Sequence, residues 1–266
     1  MAVSALRAIF FDLDDTLYST SEFALRARRN SVEAMVKAGL RADPSALLAE
    51  LIEVVEEFSS NYERHFDQLL QRLPRRLYRG VNPAIIVAAG VAAYHDTKFR
   101  YLCPYEDAYE VLRDLARTEL IRGVITAGLA NKQAEKLVRL RIAPLLSPGA
   151  IFISDQLGIN KPNIKMYQRA CSDLNLKPAE SMYVGDNAAM DIEPAKRIGM
   201  LTVHVIRGST SVGKGAGYAP DWIVGNFWEL LDVLRDHLGV VIPPRTAEGG
   251  PEQHAPQAFD TDGRMA

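Results

Sequence analysis

The chain has 266 residues, long enough for a buried core in one large domain or in a core plus a smaller one. Hydrophobic residues make up 48% and charged residues 24%, which is the composition of a soluble globular protein. The formal net charge of −2 and the lack of any dense Lys/Arg stretch argue against nucleic-acid binding. Two cysteines, Cys103 and Cys171, stand far apart in no metal-ligand spacing, which disfavours a disulfide framework and suits a reducing compartment.

The first apolar run, Ala8-Ile9-Phe10-Phe11, is too short for a signal peptide and stops at Asp12. The run over residues 85–93 falls far short of the ~20 residues that span a bilayer and reads as a buried helix. A cytoplasmic protein without membrane contact is expected.

Residues 6–11, apolar but for Arg7, form a short run that ends in Asp12-Leu13-Asp14-Asp15-Thr16, which suits a strand buried on both faces of a parallel sheet. Over residues 19–93 apolar residues recur at helical spacing (Phe23, Ala27, Val32, Met35, Val36; then Leu47, Leu48, Leu51, Val54, Val55, Phe58). Gly39, Pro44, Pro74 and Pro83 punctuate them, so the spacing predicts about four helices and no strand.

After Pro104 the rhythm turns to strand–helix alternation. Helices are predicted over 108–115, 132–140, 164–174, 188–198 and 227–238. Strands are predicted over 121–125, 151–153, 182–184, 201–205 and 222–224. The alternation predicts an α/β fold, a Rossmann-like doubly wound parallel sheet. The Rossmann-like core then comprises residues 1–18 and 101–240, with an all-helical insertion at 19–100. Residues 241–266, rich in Pro, Gly, Gln, Glu and Thr, are expected to form a disordered tail.

In an open parallel sheet, function collects at the carboxyl ends of the strands. Those ends carry Asp12 and Asp14, Thr126, Asp186 and Asp191, with Lys161 on the loop after the third core strand. Four carboxylates on one edge repel one another unless a cation sits among them. Oxygen ligands suit Mg²⁺, and a divalent ion with a lysine and a threonine hydroxyl makes a pocket for a phosphoryl group.

The set Asp12-x-Asp14-x-Thr16, Thr126, Lys161-Pro162 and Gly185-Asp186-x-x-x-x-Asp191 resembles the four motifs of the haloacid dehalogenase-like hydrolase superfamily. The helical insertion resembles its cap, and the likeness extends over residues 6–240. The segment from Thr20-Ser21-Glu22 to Gly39, and Tyr94-His95-Asp96-Thr97-Lys98-Phe99, are similar to an archaeal-type subgroup assigned as glyceraldehyde 3-phosphate phosphatases. The resemblance implies a Mg²⁺-dependent phosphohydrolase of a small phosphorylated metabolite. Asp12 is then the nucleophile that forms an aspartyl-phosphate, and Asp14 the proton donor and acceptor, a role that a raised pKa would help. It implies a metal held by Asp12, the Asp14 backbone carbonyl and Asp186, phosphate held by Thr126, Ala127 and Lys161, and Asp191 behind them orienting Lys161 or a metal-bound water. Two positions depart from the family pattern. Ala127 stands where an asparagine often follows the threonine, and Ile164 where a proline often opens the helix after Lys161.

A phosphomutase keeps the same motifs and stays open as an alternative; a 2-haloacid dehalogenase is disfavoured by Asp14. The stretch Gly208 to Lys214 nearly spells a phosphate-binding loop, but Gly215 replaces the Mg²⁺-binding hydroxyl, so a surface loop is expected. Thr126 has a second expected role as cap of the following helix. The five histidines show no ligand spacing, and Tyr62, Phe66 and Tyr78 read as packing residues of the cap.

Overall fold

Apolar runs of strand length and amphipathic runs of helix length alternate along the chain. A computed structural model describes residues 5–207, 217 and 219–244. In chain order the elements are β1 (Ala8–Phe11), α1 (Thr20–Lys37), α2 (Pro44–Phe58), α3 (His65–Arg72), α4 (Pro83–Tyr101), α5 (Glu106–Leu115), β2 (Ile121–Thr126) and α6 (Ala130–Arg139). They continue with β3 (Ile151–Ile153), α7 (Ser154–Leu157), α8 (Ile164–Asp173), β4 (Ser181–Gly185), α9 (Glu193–Arg197), β5 (Leu201–Val205), β6 (Trp222–Val224) and α10 (Phe227–Asp236).

The six strands form one parallel sheet in the order β3-β2-β1-β4-β5-β6. The chain winds outward to one side of β1 and then to the other, so the order reverses between β1 and β4. A crevice opens there at the carboxyl edge. Phe11 lies level with Val124 on one side and Val184 on the other, which brings three strand ends to the same height.

Side chains alternate between the two faces of a strand. Ile9, Phe11 and Val184 pack with residues of α5 and α10 on one face. Ala8, Phe10 and Tyr183 pack with α8 and α9 on the other. With both faces covered, all four residues of β1 are buried, as its uninterrupted apolar run requires.

Helices α1–α4 gather around a third apolar cluster of their own, centred on Val32, Met35, Leu47, Leu51, Leu69 and Ile86. Their boundaries follow the punctuation in the sequence. The Ser19 hydroxyl accepts from the Glu22 N–H at the start of α1, and Gly39 closes that helix with φ +110°. Pro44 and Pro83 occupy first-turn positions behind the side-chain caps Asp43 and Asn82.

Two expectations need correction. The run 85–93 lies in α4, but α4 is not a buried helix: Ile86 and Gly90 face inward while Ile85 is 58% and Val91 37% exposed. The predicted helix 188–198 is two pieces, a wide π-type turn over Ala188–Ile192 followed by α9. Pro194 has no N–H to return to the Met190 carbonyl, and the Tyr167 hydroxyl donates to that carbonyl instead, at 2.5 Å.

At the far end, Val240 N–H bonds to Leu234 O (2.9 Å), Arg117 donates to Pro243 O (2.9 Å), and Ile242 packs on the core. Residues 245–266, most of the segment expected to be a disordered tail, lie outside the described residues, as does Gly208 to Lys214. No helix among the described residues is long and apolar enough to cross a membrane.

Candidate active site at the sheet edge

The Asp12 N–H donates to Val184 O (2.9 Å), which extends β1 by one residue and sets Asp12 over the crevice between β1 and β4. Lys161 arrives on the loop between α7 and α8. Its ammonium lies 2.5 Å from Asp12 Oδ1 and 2.8 Å from Asp191 Oδ1, and all three side chains are buried. The Asn163 side chain accepts from Lys165 N–H (3.0 Å) and opens α8 in place of the proline absent at 164.

Asp191 is held through both oxygens. Its Oδ1 takes Lys161 and has the Tyr183 hydroxyl at 3.3 Å; its Oδ2 takes the Asn187 N–H at 3.1 Å. Burial is the largest influence on Asp12 and pushes its carboxyl up; Lys161 opposes it and Asp191 adds to it, with a net rise. Burial acts downward on the Lys161 ammonium, but the facing Asp12 and Asp191 carboxylates outweigh it and hold its pKa well above the usual lysine range. The two groups are thus interdependent: Asp12 needs a cation to stay ionised in so dry a place, and Lys161 needs its carboxylates.

Asp186 follows β4. Thr16 donates to its carboxylate (3.0 Å), and the His204 ring Nε2 meets its backbone carbonyl (2.7 Å). Burial first, then the Asp191 charge, pushes the Asp186 carboxyl up to about 6. Carboxylate oxygens of Asp12, Asp186 and Asp191 lie within 4.8 Å of one another. Three hard oxygen donors this close suit a divalent cation. Both Asp191 oxygens accept from the protein, whereas Asp12 and Asp186 each accept from a side chain at Oδ1 alone among the described residues.

Thr126 ends β2. Its hydroxyl is buried and has no hydrogen-bond partner among the described residues. It does not cap α6: the capping position is Leu129, with no side-chain bond. A buried orphan hydroxyl is costly unless a ligand completes it. In the turn that follows, the Gly128 N–H already donates to Ser154 Oγ (2.9 Å), and Ala127 O accepts from the Gln133 amide (2.6 Å).

Asp14 stands apart from the other three carboxylates. Lys136 Nζ lies 2.6 Å from its Oδ1 and 2.9 Å from its Oδ2. Thr20 and the Tyr18 hydroxyl also donate to Oδ1, and Gln133 donates to Oδ2 (3.2 Å). Burial works upward on this carboxyl, but Lys136 and the hydrogen bonds from Lys136, Tyr18 and Gln133 outweigh it, and its pKa falls below the ordinary value. This is the reverse of the raised pKa that would help a proton donor, and its cause is the Lys136 ammonium, which the sequence did not single out.

Five partners in this site were not singled out in the sequence: Tyr18, Gln133, Lys136, Tyr183 and His204. The packing residues behave as expected: Phe66 and Tyr78 pack against the cluster within α1–α4, while Tyr62 stacks on Phe58 with ring centres 5.0 Å apart.

The family model described as haloacid dehalogenase-like hydrolase matches residues 9–205. A glyceraldehyde 3-phosphate phosphatase of Methanopyrus kandleri is 44% identical over 236 residues, 87% of this chain and 98% of that protein. One of Methanocaldococcus jannaschii is 36% identical, again covering 87% and 98%. Among solved structures, a putative beta-phosphoglucomutase from Thermotoga maritima superposes with TM-score 0.65 at 20% identity, over 87% of this chain and 99% of that one. An HAD phosphatase from Thermococcus onnurineus gives 0.63 at 20% identity, over 90% and 100%. At that identity the two structures speak to the fold.

Proposed function

This chain belongs to the haloacid dehalogenase-like hydrolases, and we propose that it is a Mg²⁺-dependent phosphatase of a small phosphate monoester, glyceraldehyde 3-phosphate or a close chemical relative. One observation carries the reading. A buried carboxylate, Asp12, is paired with a buried ammonium at 2.5 Å on the sheet edge where the Thr126 hydroxyl lacks a partner. In this reading Asp12 is the nucleophile, Lys161 neutralises charge, and the Thr126 hydroxyl donates a hydrogen bond to the phosphate.

In this reading an Asp12 oxygen attacks phosphorus and the ester P–O bond breaks. The leaving alkoxide takes its proton from Asp14, and an aspartyl-phosphate remains on Asp12. Asp14 then removes a proton from water as that water attacks phosphorus. The aspartyl P–O bond breaks, giving inorganic phosphate and the free Asp12 carboxylate. Thr126, the Ala127 N–H and Lys161 hold phosphate oxygens, and Asp191 fixes Lys161. Asp12, Asp186 and the Asp14 backbone carbonyl would hold the cation, which supplies counter-charge between carboxylate and phosphate.

We further infer that residues 19–100 act as a cap that selects the ester. The partner is then a small metabolite in the cytoplasm, not a nucleic acid or a membrane.

The test combines metal removal with loss of the nucleophile. EDTA should abolish release of inorganic phosphate and Mg²⁺ should restore it, one phosphate per ester consumed, which separates hydrolase from mutase. Asp12→Asn should lower turnover at least ~10³-fold. Trapped phosphoenzyme should map to Asp12. Full activity in metal-free buffer, or near-wild-type turnover of Asp12→Asn, defeats the reading.

A further inference from the structure

The α6 helix makes three attachments over two successive turns. Lys132 Nζ donates to Asn61 O (2.9 Å), Glu135 pairs with Lys98 of α4, and Lys136 grips both oxygens of Asp14. Residues three and four apart share a helix face, so the contacts to the α1–α4 layer and the contact to Asp14 move as one body. Between them, Gln133 is buried and donates to Asp14 Oδ2 and to Ala127 O in the turn after Thr126. Asp14 is therefore tied through α6 to the phosphate-binding turn. Lys136 is itself pinned: its side chain is mostly buried and its ammonium lies 5.8 Å from the centre of the Tyr18 ring.

We propose that Lys136 is a positioning residue for Asp14, with α6 fixing the carboxylate relative to the phosphate site through Lys136 and Gln133. The inference rests on Asp14 being the proton donor in the proposed phosphatase reaction. Among the described residues Lys136 reaches both Asp14 oxygens and no other carboxylate of the site, so it acts on Asp14 rather than on the phosphate. Without it, Tyr18 and Thr20 still hold Oδ1, while Oδ2 keeps only the longer Gln133 contact. The carboxylate is then free to swing about its remaining anchors.

The experiment compares two esters with the same phosphoryl group. Glyceraldehyde 3-phosphate has an aliphatic leaving group that needs a proton; p-nitrophenyl phosphate has one that needs little. The quantity read is kcat/KM, which covers every step through departure of the leaving group. Lys136→Met keeps the apolar stem and removes the charge. It should lose at least ~10-fold on glyceraldehyde 3-phosphate and under ~3-fold on p-nitrophenyl phosphate, within the range that general acid catalysis contributes. The inhibition constant of inorganic phosphate should stay within ~2-fold, and Lys136→Arg, which also reaches both oxygens of a carboxylate, should recover most of the loss.

An unchanged or raised kcat/KM of Lys136→Met on glyceraldehyde 3-phosphate overturns the inference. So does an equal loss on both esters, or a weakened phosphate inhibition, since Lys136 would then serve the phosphate. Asp14→Asn, run beside it, separates the two levels. If Asp14→Asn discriminates between the esters and Lys136→Met does not, the inference fails alone. If Asp14→Asn does not discriminate, the role of Asp14 falls and the inference with it.

Discussion

Gly185 has no room for a side chain. A Cβ there would sit 2.5 Å from Asp191 Oδ2 and 2.7 Å from both Asp191 Cβ and Cγ. The contact falls on the carboxylate that holds Lys161, so Gly185→Ala must push Asp191 off that ammonium. The variant should lose about 1–3 kcal/mol of stability by overpacking and at least ~10-fold in kcat/KM, read by denaturant melts and steady-state kinetics. Retention of wild-type kcat/KM would mean that the Asp191–Lys161 bond is dispensable. The residues that set this geometry were unequally legible. Asp12, Thr126 and Asp186 stand at or just after strand ends, where spacing alone gives their place, whereas Asp191 lies in the wide turn that follows β4. Tyr183 hides inside an apolar run, though a tyrosine in a strand buried on both faces signals a hydroxyl in need of a partner, here Ile125 O at 2.9 Å. Lys136 sits in Asn131-Lys132-Gln133-Ala134-Glu135-Lys136, which reads as a solvated helix face; only the folded chain brings it to Asp14.

At the scale of elements, strands were readable because a parallel sheet with two covered faces demands unbroken apolar runs. The helix over residues 85–93 was misread as buried for a related reason. Nine apolar or small residues in succession leave no polar residue to mark the outer face, so its period is invisible. The end of α10 allows a prediction about the segment beyond it. Residues 240–243 return to the core through Val240, Ile242 and the Arg117 bond to Pro243, whereas the composition after Pro244 offers little to bury. Truncation after Pro244 should leave Tm within ~2 °C and activity unchanged. Truncation after Gly239 removes those contacts and should lower Tm by about 4 °C or more, on the scale of 2–4 °C per kcal/mol for a domain of this size. Equal melting curves for the two truncations would show that residues 240–243 add nothing.

The molecule as a whole has two apolar clusters flanking one sheet and a third within α1–α4. The motif residues lie on the sheet side, where strand ends and turn chemistry are written locally. How the helical layer meets them was not legible, because it depends on side chains far apart in sequence, such as Lys98 with Glu135 and Lys132 with Asn61. Contacts of that kind are weak when partly exposed, typically about 0–1 kcal/mol each. The layer's stability must therefore come mainly from its own cluster. Leu51 is fully buried there, and Leu51→Ala should cost about 2–5 kcal/mol through lost burial and the cavity left behind. If the layer opens as its own cooperative unit, amide exchange in α1–α4 should speed up while the amides of β1, β2 and β4 keep their protection. Catalysis should divide in the same way: kcat/KM for glyceraldehyde 3-phosphate should fall further than for p-nitrophenyl phosphate, because in the proposed function selection of the ester belongs to the helical layer and phosphoryl transfer to the sheet edge. Uniformly faster exchange across sheet and helices, or equal losses on the two esters, would mean that the layer and the sheet unfold and act as one unit.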